Sequence, residues 1–257
     1  GGSAEYLGVP GARHLVPLGD LDPVVAAPLT DAGLTPYHAV RHALPLLVPG
    51  TTAVVIGVGG LGHFGLQFVR ELSPARIVAV DVAESKRSLA LDLGADLALD
   101  PTADDVAAAV KAGGEGAAAV FDFVGADVTL ATAAACVGRQ GMVVLVGLAG
   151  GSLPYSFMGM PGESVVRGSS WGTRNELEDV LALAASVDDL EILDACVPSA
   201  HREAQGLEAA LAPPHLDHVA LEAGAGPGRR HLEKTRPDGP RGTAPGAAPR
   251  ALPRRPG

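Results

Sequence analysis

Two short stretches carry residues whose types and spacing suit chemistry. In VVAAPLTDAGLTPYHAV, residues 24–40, a single carboxylate, Asp31, stands in an otherwise apolar and small-residue run. A charge drawn into such surroundings is costly unless it is paired or bound to a metal. TDAG alone also fits a helix N-cap or a turn, so the residues leave metal ligand and turn residue both open.

The second stretch is VVIGVGGLGHFG, which sets Gly57, Gly59 and Gly62 at the G-x-G-x-x-G spacing. Gly57 permits a tight turn, Gly59 lets backbone approach a pyrophosphate, and Gly62 allows a helix to pack closely on the preceding strand. Gly60 and Leu61 complete the turn, and the free N–H groups of the helix that follows attract an anion. Glycines alone are weak evidence, but the context is specific. Asp81, nineteen residues beyond Gly62, ends the next strand pattern, where a carboxylate hydrogen-bonds the adenosine ribose hydroxyls. A carboxylate there repels a 2′-phosphate, which favours NAD over NADP. Lys86, and with a weaker case Arg87, are cations able to pair with such a phosphate; Lys86 reads equally as a solvated helix residue.

The elements that must position these groups follow in strict alternation. Strand patterns fall at 51–57, 76–81, 97–99, 118–125, 141–148 and 164–170, the first a continuous apolar run of the kind covered on both faces. Helical patterns follow the glycine turn, ESKRSLALDLGA, TADDVAAAVKAGG with Thr102 as N-cap, DVTLATAAACV and RNELEDVLALAAS. Such alternation means parallel strands joined by crossover helices, an α/β, Rossmann-type doubly wound sheet.

Composition bounds the rest. The net charge of −10 is uneven: residues 224–257 hold seven arginines and Lys234 against Glu233 and Asp238, a local +6 that leaves −16 on the remainder. An acidic body argues against specific nucleic-acid binding, and the basic tail attracts phosphates only weakly. No apolar run reaches the roughly 18–20 residues of a membrane span. GGSAEYLGVP lacks the basic and apolar regions of a signal peptide and reads like protein interior. Cys136 and Cys196 are too few for a disulfide framework or a four-thiolate zinc site and suit a reducing cytoplasm. One helix is expected at Arg202–Leu211. Beyond residue 224, glycine and proline number seven each with almost no large apolar side chain, and disorder is expected.

With these pieces placed, the chain resembles the zinc-dependent medium-chain alcohol dehydrogenases, most of all the bacterial NAD-dependent secondary-alcohol dehydrogenases. The resemblance runs from residue 1 to about 192 and rests on GGSAEYLGVP, LTDAGLTPYHAV, GVGGLGHFG, VAVD, FDFVGA, VVLVGL and WGTRNELEDV. It implies residues 1–35 as a remnant of a GroES-like catalytic domain, 36–192 as the NAD-binding domain and 193–257 as an irregular tail. It implies Asp31 as an oxygen ligand to a catalytic zinc and Thr35 beside the nicotinamide near the reacting oxygen. It also implies Val124, Val146 and Leu148 around the nicotinamide ring, and Trp171 in the substrate pocket, although each of these is as good a core residue. His38 and His63 invite a metal reading that the family does not share, which leaves them as packed or surface histidines. HLDH at 215–218 has ligand-like spacing within the irregular tail.

The family's other zinc ligands, a Cys and a His-Glu pair, have no counterpart in this sequence, and one ligand of three is not a metal site. The departure from the family pattern near Leu193, into text rich in Ala, Pro, Gly and Arg, suggests a frameshift in GC-rich DNA. The resemblance implies alcohol, aldehyde or ketone substrates interconverted by hydride transfer, and a homodimer or homotetramer paired through the edge strand near 164–170. Two alternatives remain: an NAD-binding module without hydride chemistry, and a zinc-free NADPH-dependent quinone reductase, against which Asp81 and the surroundings of Asp31 both count.

Overall fold

The computed structural model describes residues 6–186. The tail readings (the helix at Arg202–Leu211, HLDH, Cys196, disorder beyond 224 and the break near Leu193) lie outside the described residues, as does the first half of GGSAEYLGVP.

A six-stranded sheet is built from β1 (Thr52–Ile56), β2 (Arg76–Val80), β3 (Leu97–Leu99), β4 (Ala117–Asp122), β5 (Val137–Leu145) and β6 (Val165–Gly168). Their order across the sheet is β3-β2-β1-β4-β5-β6, and each neighbouring pair is parallel. The expected doubly wound topology is present. Seven helices accompany it among the described residues: α1 (Pro23–Ala26), α2 (Leu34–Ala43), α3 (Gly62–Leu72), α4 (Glu84–Asp92), α5 (Val106–Lys111), α6 (Asp127–Cys136) and α7 (Arg174–Ser186).

Alternate residues of each strand face opposite sides of a sheet, so the apolar runs supply two cores at once. Val55, Ala79 and Phe121 face a layer that includes Val40 of α2, Phe64 and Phe68 of α3, and Val180 of α7. Val54, Val78 and Val120 face Val106 and Val110 of α5 and Ala133 of α6. Side-chain burial on both faces explains why β1 reads as unbroken apolar text. The chain leaves β3 through α5 and re-enters on the far side of β1, so β1 and β4 part at their carboxyl ends, the crevice where open α/β sheets take ligands.

Three local expectations need correction. Thr102 does not cap α5. Its amide and hydroxyl are taken by Asp100 Oδ1 at 2.9 and 2.6 Å, and the cap is Asp105, whose side chain accepts from the Ala108 amide at 3.0 Å. The fifth strand begins at Val137 rather than 141, because its pairing with β4 shifts register between Ala117 and Ala119. Asp31 is exposed, not buried: it follows a 3-10 turn (Ala27–Thr30) on the outer side of the layer, which removes the desolvation penalty its apolar neighbours suggested. Among the described residues no helix is long and apolar enough to cross a membrane.

Candidate functional site

The corner between β1 and α3 is set by backbone geometry. Gly57 adopts φ +83°, the left-handed region that glycine enters without penalty, and its amide donates to Val80 O at 2.8 Å. Gly62 meets a different constraint: a Cβ there would lie 1.7 Å from Gly57 O, so only glycine lets α3 start against the end of β1. Leu61 forms the N-cap position and is half-buried. At Gly59 and Gly60 an added Cβ would meet nothing within 4 Å, so the outer lip of the turn is open backbone. Together these make a strand-to-helix corner that presents amide groups without side chains in front of them.

Asp81 stands just beyond β2 and braces this corner. One carboxylate oxygen accepts from the Val58 amide at 2.8 Å and the other from the Ala83 amide at 2.9 Å. Lone pairs remain on both oxygens for further donors. Arg87 holds the same bend from behind, donating to Asp81 O at 2.8 Å and Val82 O at 2.9 Å and pairing with Glu84 and with Asp100 at 3.2 Å. Both terminal nitrogens of its guanidinium are engaged. The half-buried Lys86 side chain makes no hydrogen bond or ion pair with the described residues.

Beside this corner a crevice of about 330 Å³ opens at the carboxyl ends of the strands, lined by Ile56, Gly57, Asp81, Thr102, Val124 and Thr129 among others. Apolar walls with one carboxylate at the rim suit a flat heteroaromatic ring with sugar hydroxyls pointing outward.

Asp122 of FDFVGA, which the sequence alone does not single out, organises the opposite wall. Asp122 is fully buried (0% exposed). Its carboxylate accepts from the Val124 and Gly125 amides, both at 2.9 Å, and from the Thr129 hydroxyl at 2.8 Å. Its carbonyl accepts from the Val146 and Gly147 amides at 2.9 and 3.0 Å. One residue thus ties the loop after β4 to α6 and to the loop after β5. The signal was available: a carboxylate closing an apolar strand just ahead of a glycine turn. Val146 is buried in the core, whereas Leu148 is 96% exposed. Trp171 is 73% exposed, at φ +51°.

Asp31 and Thr35 do meet. The buried Thr35 hydroxyl donates to Asp31 Oδ1 at 3.2 Å, and the Thr35 amide to Asp31 O at 2.9 Å. Among the described residues, however, no group of three or more His, Cys, Asp or Glu side chains could hold a metal ion. The described residues do not fit a catalytic zinc, which needs three protein ligands. His63 is buried, with Nδ1 2.7 Å from Gly59 O, so it packs under the glycine turn. Cys136 is likewise interior, burial pushing its thiol up to about 11.

The strand order and the glycine corner define a Rossmann-type domain. The chain belongs to the zinc-binding dehydrogenases, the family whose sequence profile matches residues 60–186. It is 35% identical over 190 residues to a D-arabinose 1-dehydrogenase (NADP(+)) of Saccharolobus solfataricus, covering 72% of this chain and 54% of that protein. It is 40% identical over 158 residues to an NAD-dependent alcohol dehydrogenase of Sulfurisphaera tokodaii, covering 60% and 45%. The crystal structure of the alcohol dehydrogenase from Aeropyrum pernix superposes with a TM-score of 0.60 at 36% identity, over 65% of this chain and 49% of that one. The chain spans about half the length of the curated relatives it matches.

Proposed function

We propose that the chain is the NAD-binding part of an alcohol dehydrogenase that interconverts an alcohol and its carbonyl compound by hydride transfer. One observation carries the reading: the Asp81 carboxylate sits at the rim of the crevice, bonded to the Val58 and Ala83 amides, next to glycine backbone that no side chain obstructs. In this reading the ribose hydroxyls donate to Asp81, the pyrophosphate lies over Gly59, Gly60 and Leu61, and the adenine fills the apolar crevice. The bound nicotinamide supplies the hydride-accepting ring. Val124, Val146 and Leu148 are proposed at its edge through their backbone groups, and Thr35 near the reacting oxygen. Trp171 is proposed to face the substrate. The domain limits 36–192 belong to the same proposal.

NAD is preferred to NADP because a carboxylate at Asp81 opposes a 2′-phosphate and Arg87 is already engaged by Glu84 and Asp100. The relative that uses NADP(+) and the unengaged Lys86 support the second reading, that NADP is accepted. No zinc site is assigned, since Asp31 has no companion ligands among the described residues. Alcohol, aldehyde or ketone substrates, and pairing through the β6 edge, are proposed from the relatives alone.

Fluorescence titration of the purified chain with NADH and NADPH, alongside zinc content and alcohol-dependent NAD reduction, tests the reading. NADH binding at least tenfold tighter than NADPH is expected. Equal or absent binding of both overturns the cofactor assignment, and NADH binding without turnover returns the chain to a binding module.

A further inference from the structure

We propose that His38 and His42 form a two-nitrogen chelate for a divalent transition-metal ion, with Glu176 holding the first ring in place. The two residues lie four apart on α2, so their side chains share one face. Their rings stand 4.4 Å apart at an interplanar angle of 73°, and their Nε2 atoms approach to 3.1 Å. Two imidazoles about 2.0–2.1 Å from a single ion bring their nitrogens to about 2.9 Å in a square arrangement and about 3.3 Å in a tetrahedral one. The observed spacing lies between the two, so turning each ring away from the line between the nitrogens aims both lone pairs at one ion.

The remaining nitrogen of His38 is already assigned. Nδ1 lies 2.8 Å from Glu176 Oε1, and a carboxylate can only accept, so Nδ1 carries the proton and Nε2 of neutral His38 carries the lone pair. That is the tautomer a metal ligand requires, and a carboxylate behind the ring both orients it and raises its basicity. Glu176 is itself fixed, its Oε2 accepting from the Thr173 amide at 2.8 Å and hydroxyl at 2.9 Å. In the metal-free protein the lone pair of His38 is met by N–H of His42. Binding an ion moves that proton to the other nitrogen of His42 and puts the metal in its place.

The surrounding charges decide how strongly. Arg167 is the cation whose charge reaches His42, and Glu176 the carboxylate. Arg41 is the nearest other cation on α2 and is paired with Asp179 at 3.0 Å. Arg167 weighs against binding, and Glu176 in its favour. No third protein ligand completes the group among the described residues, so water fills the remaining positions and Cu²⁺ binds more tightly than Zn²⁺. Binding of the ion to the folded form raises thermal stability.

Calorimetric titration of the metal-stripped full chain with Cu²⁺, with parallel melting curves, tests this. His42→Ala is expected to lose one equivalent of bound copper and the accompanying rise in melting temperature. Glu176→Gln is expected to weaken that equivalent about tenfold or more. Far-UV circular dichroism establishes that each variant folds, and His42→Gln, which keeps a polar side chain, repeats the measurement should the alanine variant fail. Copper bound elsewhere on the chain is common to wild type and variants and cancels in the comparison. Equal uptake and equal melting shift in wild type and the His42 variants overturn the proposal, as does a copper resonance spectrum of the wild type without two coordinated nitrogens.

Discussion

The Asp81 carboxylate and the Val58 amide are 2.8 Å apart, joining the tip of β2 to the glycine turn that follows β1. This contact sets the carboxylate at the crevice rim, and it holds the turn at the same time. Replacing Asp81 therefore acts twice. Asp81→Asn keeps one acceptor oxygen but removes the charge. A charge-assisted hydrogen bond is worth about 1.5–3 kcal/mol, so NADH affinity should fall by about ten- to a hundredfold. NADPH affinity should fall less or rise, because the repelling charge has gone. Titrations of both nucleotides against the variant check the sign of each change.

Two glycines of the same turn should separate folding from binding. A Cβ at Gly62 would meet the Gly57 carbonyl, a backbone atom that cannot swing aside. Gly62→Ala should cost about 1–3 kcal/mol of stability or more. At Gly59 the same methyl meets nothing, so Gly59→Ala should leave stability within about 0.5 kcal/mol yet obstruct a pyrophosphate lying on the loop. Urea unfolding and NADH titration of the two variants give opposite patterns if the loop is an anion cradle. Loss of stability in both, with binding unchanged, would show the turn to be structural only.

Asp122 carries the other wall of the crevice. Removing its carboxylate strands the amides of Val124 and Gly125, while the Thr129 hydroxyl keeps the Ala126 carbonyl as acceptor at 3.0 Å. Buried donors left without partners are expensive, so Asp122→Ala should cost about 3–5 kcal/mol, and Thr129→Val about 1 kcal/mol. Because the two share a hydrogen bond, the double variant should lose less than the sum of the single variants. Denaturant midpoints for the three proteins provide the check.

How much of this was readable beforehand follows from which forces act locally. The strand–helix alternation, the glycine corner and Asp81 are legible because apolar periodicity and glycine spacing are written in consecutive residues. Asp122 left only a partial signal, a carboxylate closing an apolar strand, since its partners Gly125 and Thr129 declare themselves only once the loop closes around it. Gly65 was missed for a similar reason: a Cβ there would strike the ring of Phe123, 58 positions along the chain and adjacent only through the β1–β4 pairing. Asp31 misled because apolar neighbours in sequence can point inward while the residue itself faces water. The Thr102 cap failed to competition, with Asp100 already holding both of its donors.

Acid should loosen the contact between α2 and α7 before it affects the sheet. Burial, then Arg167 and His38, hold His42 below the ordinary 6.5 of a histidine. A group with a depressed folded-state pKa binds protons more readily when unfolded, so the stability it confers is complete above pH 6.5 and is lost as pH falls toward its folded value. Burial alone would raise Glu176, but hydrogen bonds from His38 and Thr173 leave it lowered. Its contribution runs in the same direction and is lost at lower pH, beneath the ordinary carboxylate value of 4.5. Stability should therefore decline in two stages on acidification. Urea midpoints measured from pH 7.5 to 4 should show a first decline beginning just below pH 6.5 that His42→Gln removes, while Glu176→Gln should flatten the later one. A wild-type midpoint that is constant down to pH 5 would mean that His42 has the same proton affinity in the folded and unfolded chain.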